Sequence, residues 1–138
     1  MRAAVLTVSD GVSEGTREDK SGDTLASLLA DEGYEVERRV VPDERDVISE
    51  AIAELAEDAA VVLTTGGTGL GPRDITPEAT AEVLERSAPG IAGVRGRALV
   101  VNLPGSPGGC RDGFEVLRPA LKHAVELLAG EPTAHRQT

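Results

Sequence analysis

Strand-like and helix-like segments take turns along the whole chain, and this alternation constrains the fold most. Three short runs rich in apolar and β-branched residues, at 3–8 (AAVLTV), 59–64 (AAVVLT) and 98–102 (ALVVN), read as buried strands, and 36–41 reads as a fourth that ends at Pro42. Between them the apolar spacing turns helical. Leu25, Leu28 and Leu29 mark a helix over 21–31 that Gly33 stops. Val47, Ile48, Ala51, Ile52 and Leu55 mark another over 43–57, with Asp43 able to cap it. Thr76-Pro77 reads as the N-cap and first position of a third helix. The last is expected over 113–128, with Val116, Leu117, Leu121, Val125 and Leu128 inward and Gly130 and Pro132 beyond its end. Strand, helix, strand, helix implies right-handed crossovers and a mostly parallel sheet between helical layers.

Composition narrows what such a domain does. At 138 residues the chain is one domain. A net charge of −10 argues against an electrostatic nucleic-acid binder and against a polybasic membrane-surface protein. Tyr34 and Phe114 are the only aromatics, too few for a base-stacking platform. No apolar run approaches a membrane span, and the N-terminal run is too short for a signal peptide, so the expected location is the cytoplasm. Cys110 is the sole cysteine and has no evident His or acid partner in sequence, so it reads as a bystander thiol. His123 and His135 do not look catalytic.

Ligands on parallel sheets bind beyond the carboxyl ends of the strands. The loops to read there are 9–20, 42–44, 66–74 and 102–112. The strongest signal is Thr64-Thr65-Gly66-Gly67-Thr68-Gly69-Leu70-Gly71, whose glycines let backbone N–H groups approach an anion. It is neither a Walker A loop, since no Gly-Lys-Ser/Thr follows, nor a dinucleotide fingerprint, and the competing reading is a flexible strand-to-helix connection. Asn102-Leu103-Pro104-Gly105-Ser106 continues directly from the run at 98–102. It reads equally as a ligand-reading loop, suited to a hydrogen-bonding group such as a pterin, or as a rigid turn. Asp43 and Asp74 both fall at carboxyl strand ends, where paired carboxylates beside a phosphate loop suit Mg²⁺. The competing readings are a plain helix cap for Asp43 and a turn residue for Asp74. Ser21 and Gly22 open a helix whose free N–H groups could hold an anion, with a solvated cap as the alternative.

Taken together, LTVSDGVSEGTREDKSG, VPDE, LTTGGTGLGPRDITPEAT and GVRGRALVVNLPGSPGG resemble the MogA/MoaB family of molybdenum-cofactor biosynthesis proteins, to which the gephyrin G domain is related. The resemblance covers nearly the whole chain. It implies a three-layer α/β/α molybdopterin-binding domain, usually a trimer. It implies adenylylation of molybdopterin by ATP with Mg²⁺, releasing pyrophosphate, or, in the MoaB-type alternative, molybdopterin binding without catalysis. Asp43 and Asp74 then match the family's catalytic, metal-holding acids. Ser9, Asp10, Gly66, Gly67, Thr68 and Gly69 match its nucleotide and phosphate loops, and Asn102, Pro104, Gly105 and Ser106 its pterin-side loop. The molybdenum insertase that acts downstream is an implied partner. Arg73, neutral backbone donors and the metal would reconcile polyanionic ligands with the acidic net charge.

The resemblance breaks in one place. Between Ala92 and Gly93 the family carries a further helix and loop with serines that help bind the pterin, and here the two flanks are fused. Either that stretch is deleted or the sequence is displayed without it. The good match of both flanks favours the second.

Overall fold

A computed structural model describes residues 1–66, 86–87 and 92–130. The elements in chain order are β1 (Arg2–Val8), α1 (Asp10–Ser13), α2 (Lys20–Asp31), β2 (Glu35–Val41), α3 (Arg45–Asp58), β3 (Val61–Thr65), β4 (Arg86–Ser87), β5 (Ala92–Arg95), β6 (Ala98–Leu103) and α4 (Pro107–Gly130). The strands form one sheet in the order β2-β1-β3-β6-β5-β4. The first four in that order are parallel, as the alternation predicts. β5 and β4 add an antiparallel edge that the sequence did not announce. Ala-Gly-Val-Arg has no apolar run to signal a strand. It is placed by a two-residue hairpin, in which Gly96 takes φ 59 at a position that such turns give to glycine.

Side chains alternate across the pleat, so each central strand feeds two cores. Ala3, Val5, Val61, Leu63, Val101 and Leu103 pack under α2 and α4, against Leu25, Leu29, Phe114 and Leu121. Ala4, Leu6, Val62 and Val100 pack on the other face under Ile48, Ile52 and Leu55 of α3. This is the three-layer α/β/α arrangement. Near-continuous burial of β1, β3 and β6 explains why their sequences read as unbroken apolar runs rather than alternating ones.

Two sequence expectations shift. α4 starts at Pro107, not near 113: Pro-Gly-Gly looks like a loop, but proline suits the first helical position. The Ser106 hydroxyl caps that turn by accepting from the Gly109 N–H at 3.1 Å. Val116, expected inward, is 83% exposed, because the inward stripe runs through Cys110, Phe114, Leu121 and Val125. Ala92 and Gly93, the fused flanks noted in the sequence, lie within β5 and pair with Val101 and Val100. The helix expected from Thr76-Pro77 lies outside the described residues. No helix among the described residues is long and apolar enough to cross a membrane.

Candidate active site

The carboxyl ends of β1, β2, β3 and β6 surround a cleft of about 440 Å³, lined among others by Ser9, Asp10, Asp19, Asp43, Gly66 and Gly105. Its floor is backbone against backbone. Gly66 follows β3 directly and holds φ 94, and a Cβ there would run into the Val8 carbonyl oxygen at the end of β1. A Cβ on Gly105 would lie 3.3 Å from the Gly66 Cα. Glycine is thus a packing requirement at Gly66 and a tight fit at Gly105, and both leave main chain facing the cleft. Of the nucleotide loop anticipated from sequence, Gly66 lies in the cleft wall; Gly67, Thr68 and Gly69 lie outside the described residues, as does Asp74.

Asp43 is not the helix cap. The N-cap of α3 is Glu44, and it makes no side-chain capping bond. Asp43 stands one residue earlier, half-buried, with its Oδ1 buried and its residue against the cleft. The Glu44 N–H donates to the Pro42 carbonyl at 2.8 Å, so Asp43 sits at the apex of a three-residue γ-turn. The Asp43 N–H donates to Asp10 Oδ1 at 2.9 Å. Ser9, expected beside phosphates, caps α1 by accepting from the Val12 N–H at 3.3 Å, and its own N–H extends the β1–β2 ladder to Val41.

The α2 N-terminus is already filled. Asp19, unremarked in the sequence, is its N-cap and accepts from the Gly22 N–H at 2.9 Å. The same carboxylate accepts from the Thr7 hydroxyl at 2.8 Å and from Arg38 Nη2 at 2.9 Å. An anion therefore finds a carboxylate where Ser21 and Gly22 were expected to offer free donors. The signal was present as an Asp three residues ahead of Gly22, the usual capping interval. Ser21 donates its hydroxyl to the Gly105 carbonyl at 2.8 Å, which ties α2 to the loop after β6.

The loop after β6 is braced from β3. Thr65 Oγ1 donates to the Pro104 carbonyl at 2.6 Å and lies 3.3 Å from Cys110 Sγ. Cys110 Sγ donates to the same carbonyl at 3.3 Å. Burial pushes the Cys110 thiol pKa up, against weaker opposing hydrogen bonds from Thr65 and Ser21. Pro104, Gly105 and Ser106 are exposed, and Gly105 lines the cleft. Asn102 is not so placed: it is 4% exposed, and its Oδ1 accepts from Thr64, its register partner on β3, at 2.7 Å. It serves as a buried cross-strand clamp, which satisfies two polar groups in the middle of an apolar sheet. Arg17 and Lys20 bring positive charge to the cleft of an acidic protein.

Residues 4–123 match the model of a family described as "Probable molybdopterin binding domain". The chain belongs to the MogA/MoaB family of molybdopterin-binding domains. A family member from Helicobacter pylori (strain J99), named molybdopterin adenylyltransferase, is 34% identical over 91% of this chain and 86% of its own length. The Drosophila melanogaster molybdenum cofactor synthesis protein cinnamon is 34% identical over 97% of this chain, which spans only 26% of that longer protein. Both alignments, of 152 and 159 positions, exceed the 138 residues of this chain, so the relatives carry residues that it lacks. The crystal structure of the molybdopterin biosynthesis enzyme MoaB from Thermus thermophilus superposes with a TM-score of 0.87 at 40% identity, covering 94% of this chain and 96% of that one.

Proposed function

We propose that this protein is a molybdopterin adenylyltransferase, using ATP to adenylylate the terminal phosphate of molybdopterin. A P–O bond forms between that phosphate oxygen and the α-phosphorus of ATP. The α–β P–O bond breaks, and pyrophosphate leaves with the electron pair. The observation that carries this reading is the convergence, on one cleft, of Asp43 on its turn, the exposed main chain at Gly66 and the braced loop 104–106. The family and the named H. pylori relative support it.

Phosphoryl-type transfer asks the protein for positioning and charge neutralisation rather than for a nucleophile. The Gly66 backbone and Arg17 and Lys20 would meet phosphate oxygens; loop 104–106 would meet the pterin. Carboxylate oxygen is the donor that Mg²⁺ prefers, and one or two carboxylates plus substrate phosphates suffice for it. Asp43 fits that chemistry, with Asp74 as the second proposed ligand. Bound there, Mg²⁺ would neutralise phosphate charge.

The same reading includes a homo-oligomer, a trimer, in the cytoplasm, that hands its product to the molybdenum insertase. It also takes the family segment to be missing at the Ala92–Gly93 junction. Alignments longer than the chain support a segment that the relatives carry and this sequence does not.

The test is incubation with molybdopterin, ATP and Mg²⁺. Adenylylated molybdopterin and pyrophosphate are expected. The second reading, a MoaB-type protein that binds molybdopterin without turnover, is favoured by the likeness to the Thermus MoaB and by the missing residues. It requires tight molybdopterin binding with no Mg²⁺-dependent nucleotide binding by calorimetry.

A further inference from the structure

We propose that Asp10 is a positioning residue: its side chain clamps the turn 42–44 and thereby fixes where Asp43 stands on the cleft. The inference rests on the adenylyl-transfer reading above and replaces the expectation that Asp10 contacts phosphate. β1 and β2 run parallel with Val8 opposite Val41, and the Ser9 N–H to the Val41 carbonyl, at 3.0 Å, is the last main-chain bond between them. The next residue on the β2 side is Pro42, which has no N–H to donate. The ladder would end there. Instead the following donor, the Asp43 N–H, is taken by the Asp10 carboxylate at 2.9 Å.

Two further features make this bond a positioning device. The Glu44 N–H closes back on the Pro42 carbonyl, so the peptide on either side of Asp43 is held: one by Asp10, the other by the γ-turn. Asp10 is itself anchored, since the Ser9 cap sets the first turn of α1 in which it sits. A carboxylate is moreover a poor phosphate contact in its own right, because like charges repel at short range. Accepting from a backbone N–H is the role its chemistry suits.

Asp10→Asn keeps an acceptor oxygen at the same position and removes the charge, whereas Asp10→Ala removes the acceptor. Three readouts separate the roles: steady-state adenylylation, Mn²⁺ binding in the presence of ATP by electron paramagnetic resonance, and hydrogen exchange at the Asp43 amide by NMR. A misplacement of the catalytic group by about 1 Å costs on the order of 100-fold in rate. Asp10→Ala is therefore expected to lose about that much kcat with little change in KM, and to exchange the Asp43 amide rapidly. Asp10→Asn is expected to recover most of the lost rate, to protect the amide and to bind Mn²⁺ as the wild type does. Weak Mn²⁺ binding in Asp10→Asn, with a rate as low as that of Asp10→Ala, would make Asp10 a metal ligand and overturn the proposal. An undiminished kcat in Asp10→Ala, or an Asp43 amide still protected in it, would also overturn it. If wild-type protein forms no product, the reaction assigned above fails, and amide exchange still decides whether the clamp exists.

Discussion

The Thr65 hydroxyl donates to the Pro104 carbonyl at 2.6 Å, joining the end of β3 to the loop that follows β6. Those two segments adjoin in the floor of the proposed site, so this side chain, with Cys110 and Ser21, braces the proposed pterin-side loop against the proposed phosphate side. Thr65→Val keeps the shape and deletes the donor. A buried hydrogen bond of this kind contributes about 1 kcal/mol, and more when its acceptor is left dry. The variant is expected to lose about 1–2 kcal/mol in urea unfolding, and its affinity for molybdopterin should fall further than its affinity for ATP.

Gly66 and Gly15 both have positive φ, at 94 and 80, but in different surroundings. A Cβ at Gly66 meets the Val8 carbonyl oxygen, whereas at Gly15 it meets open space. Gly15→Ala should therefore cost only the conformational strain, about 1–2 kcal/mol. Gly66→Ala should cost about 2–4 kcal/mol, since backbone must also move, and should abolish nucleotide binding. Paired thermal melts check the ordering of the two.

Ser106 is expected to matter twice. Its hydroxyl caps α4, so Ser106→Ala should lower stability by about 1 kcal/mol. Ser106→Asp restores a capping acceptor but puts a negative charge beside the cleft. It should regain the stability and lose affinity for molybdopterin, which calorimetry would separate.

Cys110 gives a pH dependence with a definite sign. Burial holds its thiol protonated in the folded protein beyond the ordinary thiol pKa, about 8.5. Below that value both states keep the proton and Cys110 adds no slope. Above it the unfolded chain ionises and the folded one does not, so stability contributed by Cys110 is lost as pH rises from there. Urea midpoints measured from about pH 7 to 10, a range that brackets the ordinary thiol pKa, should fall more for wild type than for Cys110→Ala. Alkylation by iodoacetamide near neutral pH should be far slower in the folded protein than in urea.

Much of this was legible in the sequence because the signals were local. The runs at 3–8, 59–64 and 98–102 are buried on both faces, so apolar content alone identifies them. Leu25 and Leu29, or Ile48 and Ile52, carry a helical period that needs no tertiary context. What was hidden depended on partners distant in sequence. Asp43 reads as a cap until Glu44 is seen to take that place and Asp10, 33 residues away, to hold its N–H. Asn102 reads as a ligand contact until Thr64 is found opposite it. β5 has too few apolar residues to announce itself and exists because β6 offers it an edge. Pro107-Gly108-Gly109 resembles a loop, yet the helix extends through it because Cys110 and Phe114 bury against the sheet.

The most direct test of the central claim is adenylylation of molybdopterin by ATP, with and without Mg²⁺, for wild type and Asp43→Asn. Removing one group that stabilises transition-state charge typically costs on the order of 100-fold or more in kcat. Wild type should form adenylylated molybdopterin and pyrophosphate in equal amounts, only with the metal. Asp43→Asn should keep its melting temperature and lose at least about that factor in rate. Equal rates in the two proteins, or no product from either, would contradict the account.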